Sequence, residues 1–219
     1  MGEGYYPELS DMSPTEIAGH RAYFFVTANV AYRKEAIENL GARFWTYPTG
    51  EDMEFGLKFR KAGWKFYFAP KASVDHMHRA TLKNLNKVWE TYGMGHLPLI
   101  KEYASNHMEI VLEGHKAKPR IKIPSRIKGF IYIGDFQLMH IFGLLSVIGL
   151  AFKGNIFSIA SIGLTLLFAY RFFYWCWYMK PRRYFFTWCK MKYLTNLYFI
   201  IGGLKGWEKY KVICIEPSF

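Results

Sequence analysis

Apolar and polar positions change their period several times in the first 80 residues, and each change marks an element. Residues 23–30 carry the aromatic and β-branched content of a buried strand, and residues 32–40 read as a short helix stopped by Gly41. Thr49 is a natural N-cap with Asp52 three positions on, which predicts a helix through Phe59 and Arg60 ending at Gly63. Residues 64–69 and 72–76 read as two strands separated by Pro70. Leu82, Leu85, Val88, Trp89 and Tyr92 then recur near helical spacing until Gly93-Met94-Gly95 interrupts them. That amphipathic, interrupted segment is expected to lie on a membrane surface.

The second half of the chain has a different texture. Residues 129–152 are apolar apart from Asp135, Gln137 and His140, and residues 156–179 carry a single charge, Arg171. Each run has 24 residues, and about 20 suffice for a helix to cross a hydrocarbon core. Only Lys153-Gly154-Asn155 separates them, so a helical hairpin is expected, with Trp175, Trp177, Tyr174 and Tyr178 as an interfacial belt at one end. Asp135, Gln137 and His140 would need internal partners or a shallow depth there. Residues 193–204 are too short to span and suit an interfacial or re-entrant helix.

Charge sharpens this division. The chain has a formal net charge of +12, yet residues 1–115 hold 13 Lys/Arg against 14 Asp/Glu, while residues 116–219 hold 16 against 3. The basic residues flank the apolar runs instead of lining one polar face, so a membrane is the expected partner and nucleic acid is not. Lys116, Lys118, Arg120, Lys122, Arg126 and Lys128 on one side, and Lys180, Arg182, Arg183, Lys190 and Lys192 on the other, place both ends of the hairpin in the cytoplasm. Cys176, Cys189 and Cys214 are odd in number and lack metal-ligand spacing. No signal peptide is apparent in the first 22 residues, so insertion is expected to rely on the hairpin.

The residues that carry chemistry cluster in the first 80. Glu51-Asp52 places two carboxylates in the first turn of the predicted helix, where the helix dipole favours their charge. Asp75-His76-Met77-His78 places two imidazoles at the end of a predicted strand. By themselves these are ordinary first-turn acids and surface histidines, and Asn29 in a strand is an ordinary hydrogen-bonding group. Their order changes the reading. Residues 27–37, Gly41, Gly50-Glu51-Asp52, residues 57–64, Pro70, Val74 and His76 together resemble the second half of a family-2 glycosyltransferase, and residues 199–206 match more loosely.

The resemblance implies an α/β fold, the GT-A (nucleotide-diphospho-sugar transferase-like) fold. It implies that Asp52 is the general base that deprotonates the acceptor hydroxyl, that Glu51 helps orient the acceptor, and that Asn29 lines the site floor. It implies that His76, with His78 as the alternative, ligates a divalent metal, Mg or Mn. One feature departs from the family pattern: no Asp-x-Asp motif occurs anywhere in the chain. The expected organisation is therefore a partial GT-A domain over residues 1–80 that lacks its N-terminal donor-binding half. An interfacial basic linker (81–127), a two-helix transmembrane hairpin (128–180) and an interfacial or re-entrant tail (181–219) would follow. A split enzyme, a fragment and a degenerate non-catalytic scaffold all fit the missing motif. The split enzyme is preferred, because an isolated half sheet exposes an edge and apolar faces that need covering. Its expected partners are a second polypeptide with the donor half, which shares the metal, a nucleotide-sugar, a lipid-linked or glycan acceptor, and the membrane.

Overall fold

The computed structural model describes residues 13–18, 27–47, 49–67, 69, 71–75, 77, 79–113, 119–152, 156–179 and 182–216. Seven α-helices occur among them: α1 (Pro14–Ala18), α2 (Lys34–Leu40), α3 (Glu51–Lys61), α4 (Leu82–Tyr103), α5 (Asp135–Ala151), α6 (Ile156–Met179) and α7 (Phe185–Tyr210). Four strands, β1 (His107–Leu112), β2 (Arg120–Pro124), β3 (Gly129–Ile133) and β4 (Ile213–Ile215), form one sheet in the order β2-β1-β3-β4. β1 pairs antiparallel with β2 and parallel with β3, and β3 pairs parallel with β4.

Among the described residues the sheet lies elsewhere than the sequence pattern predicted, and residues 23–26 of the predicted first strand lie outside them. Thr27–Asn29 is a 3₁₀ turn, and the described residues of 64–76 form no strand. A strand persists only where a neighbour takes up its backbone N–H and C=O groups, and among the described residues the sheet is built from 107–133 and 213–215. The stretch 81–127, read as a linker, thus supplies one long helix and two strands. Gly129 shows why β3 is a strand: its φ is 142°, and a Cβ there would stand 1.9 Å from the carbonyl oxygen of Ile213. Only glycine allows the two strands so close.

Pairing of residues 129–133 shortens the first apolar run to the 17-residue α5. α6 alone among the described helices is long and apolar enough to cross a membrane. The two helices still pack antiparallel. Phe142 stacks on Phe168 with centroids 5.7 Å apart, and Arg171 Nε meets Asp135 Oδ1 at 2.9 Å. Of the polar groups of α5, His140 contacts the Phe136 carbonyl at 2.7 Å and the Tyr193 hydroxyl at 2.8 Å, and Gln137 Oε1 accepts from the Gly134 N–H, while Gln137 Nε2 is buried without a hydrogen bond among the described residues.

The segment read as interrupted at Gly93-Met94-Gly95 is continuous helix, and the 193–204 stretch belongs to the 26-residue α7. The glycines serve contact. A Cβ at Gly93 would lie 2.0 Å from the Phe199 carbonyl oxygen, and one at Gly202 would lie 1.9 Å from that of Glu90. α4 and α7 therefore cross backbone to backbone, with Lys205 pairing to Glu90 beside the crossing. The main core joins Ile17 of α1, Met53 and Leu57 of α3, Leu97, Leu99 and Ile100 of α4, Val111, Phe130 and Tyr132 of the sheet, and Tyr210 and Val212.

Candidate functional site

α3 carries the acidic first turn, with Glu51, Asp52 and Glu54 all in it. Its N-cap is Gly50 in the left-handed region (φ 84°), not Thr49, and no side chain caps it. The reason is packing. A Cβ on Gly50 would lie 3.0 Å from the Gly95 carbonyl oxygen, and Gly95 has no side chain of its own, so Thr49 Cγ2 can sit against it. The loop entering α3 is thus seated directly on the α4 backbone. The other end was legible in advance: Ala62 and Gly63 close the helix, with Gly63 at φ 81°.

The orientation of α3 is held from two sides. Met53 and Leu57 enter the main core, while Phe55 and Phe59 enter a second cluster with Ala36, Tyr32 and Trp64. Glu54 is wholly buried, paired to Lys58 Nζ at 2.8 Å and accepting from the Tyr103 hydroxyl at 3.1 Å. Burial, and next the Glu54 charge, raise the Tyr103 hydroxyl above its usual range. Asp52 stays half-buried, with Oδ1 accepting from the Met53 N–H at 2.8 Å. Glu51 beside it is also half-buried.

Tyr32, which the sequence reading passed over, belongs to this site. Its ring meets Phe55 edge-on at 5.0 Å, and its hydroxyl is buried without a hydrogen bond among the described residues. Burial raises its pKa, and the Asp52 charge adds to that. As the first residue of the predicted 32–40 helix, Tyr32 carried no functional signal of its own. Asn29 is exposed and donates from Nδ2 to the Ala72 carbonyl at 3.1 Å, tying the 27–29 turn to the segment after α3. His76 and His78 lie outside the described residues.

A separate polar cluster joins α4 to β4. His96 Nδ1 lies 2.8 Å from Glu216 Oε1, and the Cys214 thiol donates to the same oxygen at 3.6 Å. Burial, then Glu216, push the Cys214 thiol well above its usual range. These three side chains could ligate a metal ion, their donor atoms all lying within 4.8 Å of one another. They do not fit Mg or Mn, because hard cations take oxygen ligands and this set has one carboxylate, one imidazole and one thiol. Cys214 and Glu216 are each 2% exposed, which leaves little opening for a diphosphate. At the foot of the sheet, Glu113 Oε2 accepts from the Asp135 N–H, and burial lowers the pKa of nearby Lys192 to about 8.

Residues 10–201 match a protein-family model described as glycosyl transferase family group 2. No curated protein and no solved structure gives a significant match.

Proposed function

The chain belongs to glycosyl transferase family group 2, and from that premise we propose that it is the acceptor-side half of a membrane-attached, inverting glycosyltransferase. The observation that carries this reading is the setting of Asp52. It sits in the first turn of a helix gripped by two hydrophobic clusters, with its entry loop seated on α4. The packing of α3 on both sides holds that carboxylate in one place.

On this reading Asp52 takes the proton from the acceptor hydroxyl as that oxygen attacks the anomeric carbon of a nucleotide-sugar. Attack from the face opposite the leaving nucleotide inverts the anomeric configuration. Glu51 orients the acceptor, and Asn29 supports the floor through its link to Ala72. A divalent cation, Mg or Mn, ligated by His76 or alternatively His78, would offset charge on the departing diphosphate.

The exposed apolar side chains around the segment after α3, Tyr67 at 74% and Met77 at 86%, suit a covering surface, which this reading assigns to a donor half carrying Asp-x-Asp on a second polypeptide. On this reading α6, with α5 folded back on it, attaches the chain to the membrane, and the basic flanks support a cytoplasmic position for the site. A lipid-linked or growing polysaccharide acceptor suits that position.

The missing motif also favours a second reading, a non-catalytic scaffold of a glycan-assembly complex. Purification from the native membrane in mild detergent, followed by mass spectrometry and a nucleotide-sugar transfer assay, separates the two. The enzyme reading predicts a stoichiometric partner with an Asp-x-Asp domain and sugar transfer by the complex. A folded chain recovered alone, with no transfer, contradicts it.

A further inference from the structure

We propose that His96, Cys214 and Glu216 form a zinc site that fastens the C-terminal strand to α4. The proposal is independent of the glycosyltransferase reading. His96 lies in the middle of α4, Cys214 in β4 and Glu216 just after it, so donors 120 residues apart converge on one point. Among the described residues no other group of three His, Cys, Asp or Glu side chains is so placed.

Two of the three donor separations lie near what the ion needs, and all three donor atoms lie within 4.8 Å of one another. Zinc takes nitrogen at about 2.0–2.1 Å, carboxylate oxygen at about 2.0–2.2 Å and sulfur at about 2.3 Å in a tetrahedron, which sets neighbouring donors roughly 3.2–3.7 Å apart. The Cys214 Sγ to Glu216 Oε1 distance is 3.6 Å. The His96 Nδ1 to Glu216 Oε1 distance is 2.8 Å, so these two atoms need to open by only a few tenths of an ångström.

The donor set selects the metal. Imidazole, thiolate and a single carboxylate are borderline to soft ligands, the mixture that zinc accepts and magnesium does not. Burial adds a reason for a cation. A carboxylate 2% exposed needs a compensating charge, and a metal ion supplies it to the carboxylate and a thiolate together. The three donors leave a fourth position, which a water would fill.

The site has a structural consequence for the acidic turn. His96 follows Gly95, the residue on which Gly50 and Thr49 are seated. A metal gripping His96 would hold that stretch of α4 against β4 and so keep the support under α3 in place. His96 is a positioning residue in this account.

The test uses the full chain purified in detergent, stripped with a chelator and supplied with zinc sulfate alone. Elemental analysis is expected to find about one zinc per chain, and Cys214→Ser and His96→Gln are each expected to lose it. Cobalt(II) in place of zinc should give the thiolate-to-cobalt charge-transfer band in the near ultraviolet, and Cys214→Ser should abolish it. The wild-type cobalt spectrum carries the test even where a variant fails to fold. A folded wild-type chain that takes up no zinc and shows no charge-transfer band overturns the proposal, leaving a hydrogen-bonded cluster. Variants that bind zinc as wild type does overturn it equally.

Discussion

The Tyr103 hydroxyl donates to Glu54 Oε1 at 3.1 Å, joining α4 to α3 two residues beyond Asp52. Glu54 is wholly buried, and its other partner is Lys58 on its own helix. Tyr103 is therefore the long-range tie that fixes the rotation of the acidic turn. Tyr103→Phe removes one hydrogen bond to a charged, buried group, which costs about 1.5–3 kcal/mol. Urea unfolding in detergent should show a midpoint lowered accordingly, and an unchanged midpoint would remove Glu54–Tyr103 from the account.

The α4–α7 crossing makes a second prediction. A methyl group at Gly202 would lie 1.9 Å from the Glu90 carbonyl oxygen, which is backbone and cannot swing aside. Gly202→Ala should destabilise the chain by at least about 1–3 kcal/mol. Gly163→Ala, in α6 with nothing within 4 Å, is the control and should be neutral or stabilising by up to about 1 kcal/mol. Thermal unfolding of the pair measures the difference directly.

Acid sensitivity follows from Glu109. Burial alone would raise its pKa, but the Thr15 hydroxyl and N–H, together with His107, outweigh burial and hold it below the usual carboxylate range. A folded-state pKa below the unfolded one contributes stability that is present above the unfolded value, about 4.3. That contribution is lost as pH falls through the folded value. Thr15→Val removes one of the lowering bonds, so acid unfolding followed by circular dichroism should move to higher pH. Coincident acid limbs in the two proteins would contradict the assignment.

Membrane topology can be read with introduced cysteines, since Cys176, Cys189 and Cys214 are all buried. Ile156 opens α6 and Lys122 lies on the exposed edge strand β2. In intact cells an impermeant maleimide should label Ile156→Cys from outside, and should label Lys122→Cys only after permeabilisation. Labelling of both from one side would mean that the hairpin enters the membrane without crossing it. The 17 residues of α5 make this a real contest, because they reach only about 26 Å as a helix.

The stops of α2 and α3 were legible because only glycine readily takes the left-handed turn found at Gly41 and Gly63. The acidic turn was legible for a similar local reason. The sheet was not. Residues 129–133 continue an apolar run without a break, and periodicity cannot tell a buried strand from the start of a buried helix. β2 was hidden by its Arg120 and Lys122, which read as basic linker but alternate with Ile121 and Ile123 on an edge strand. Gly93 and Gly95 read as an interruption, whereas the helix needs them for close approach to its neighbours. Cys214 and Glu216 stand two positions apart, but no ligand spacing showed because the third member, His96, lies far earlier in the chain and meets them only through the tertiary fold.

Asp52 is the residue on which the functional account turns. The measurement that tests it most directly is nucleotide-sugar transfer by the native membrane complex carrying wild-type chain or Asp52→Asn, with assembly checked by copurification. The account predicts that the variant assembles normally and that turnover falls by about 10²–10⁴-fold, the range lost with a general base. Unchanged turnover in an intact complex would remove Asp52 from catalysis and leave the chain as a scaffold.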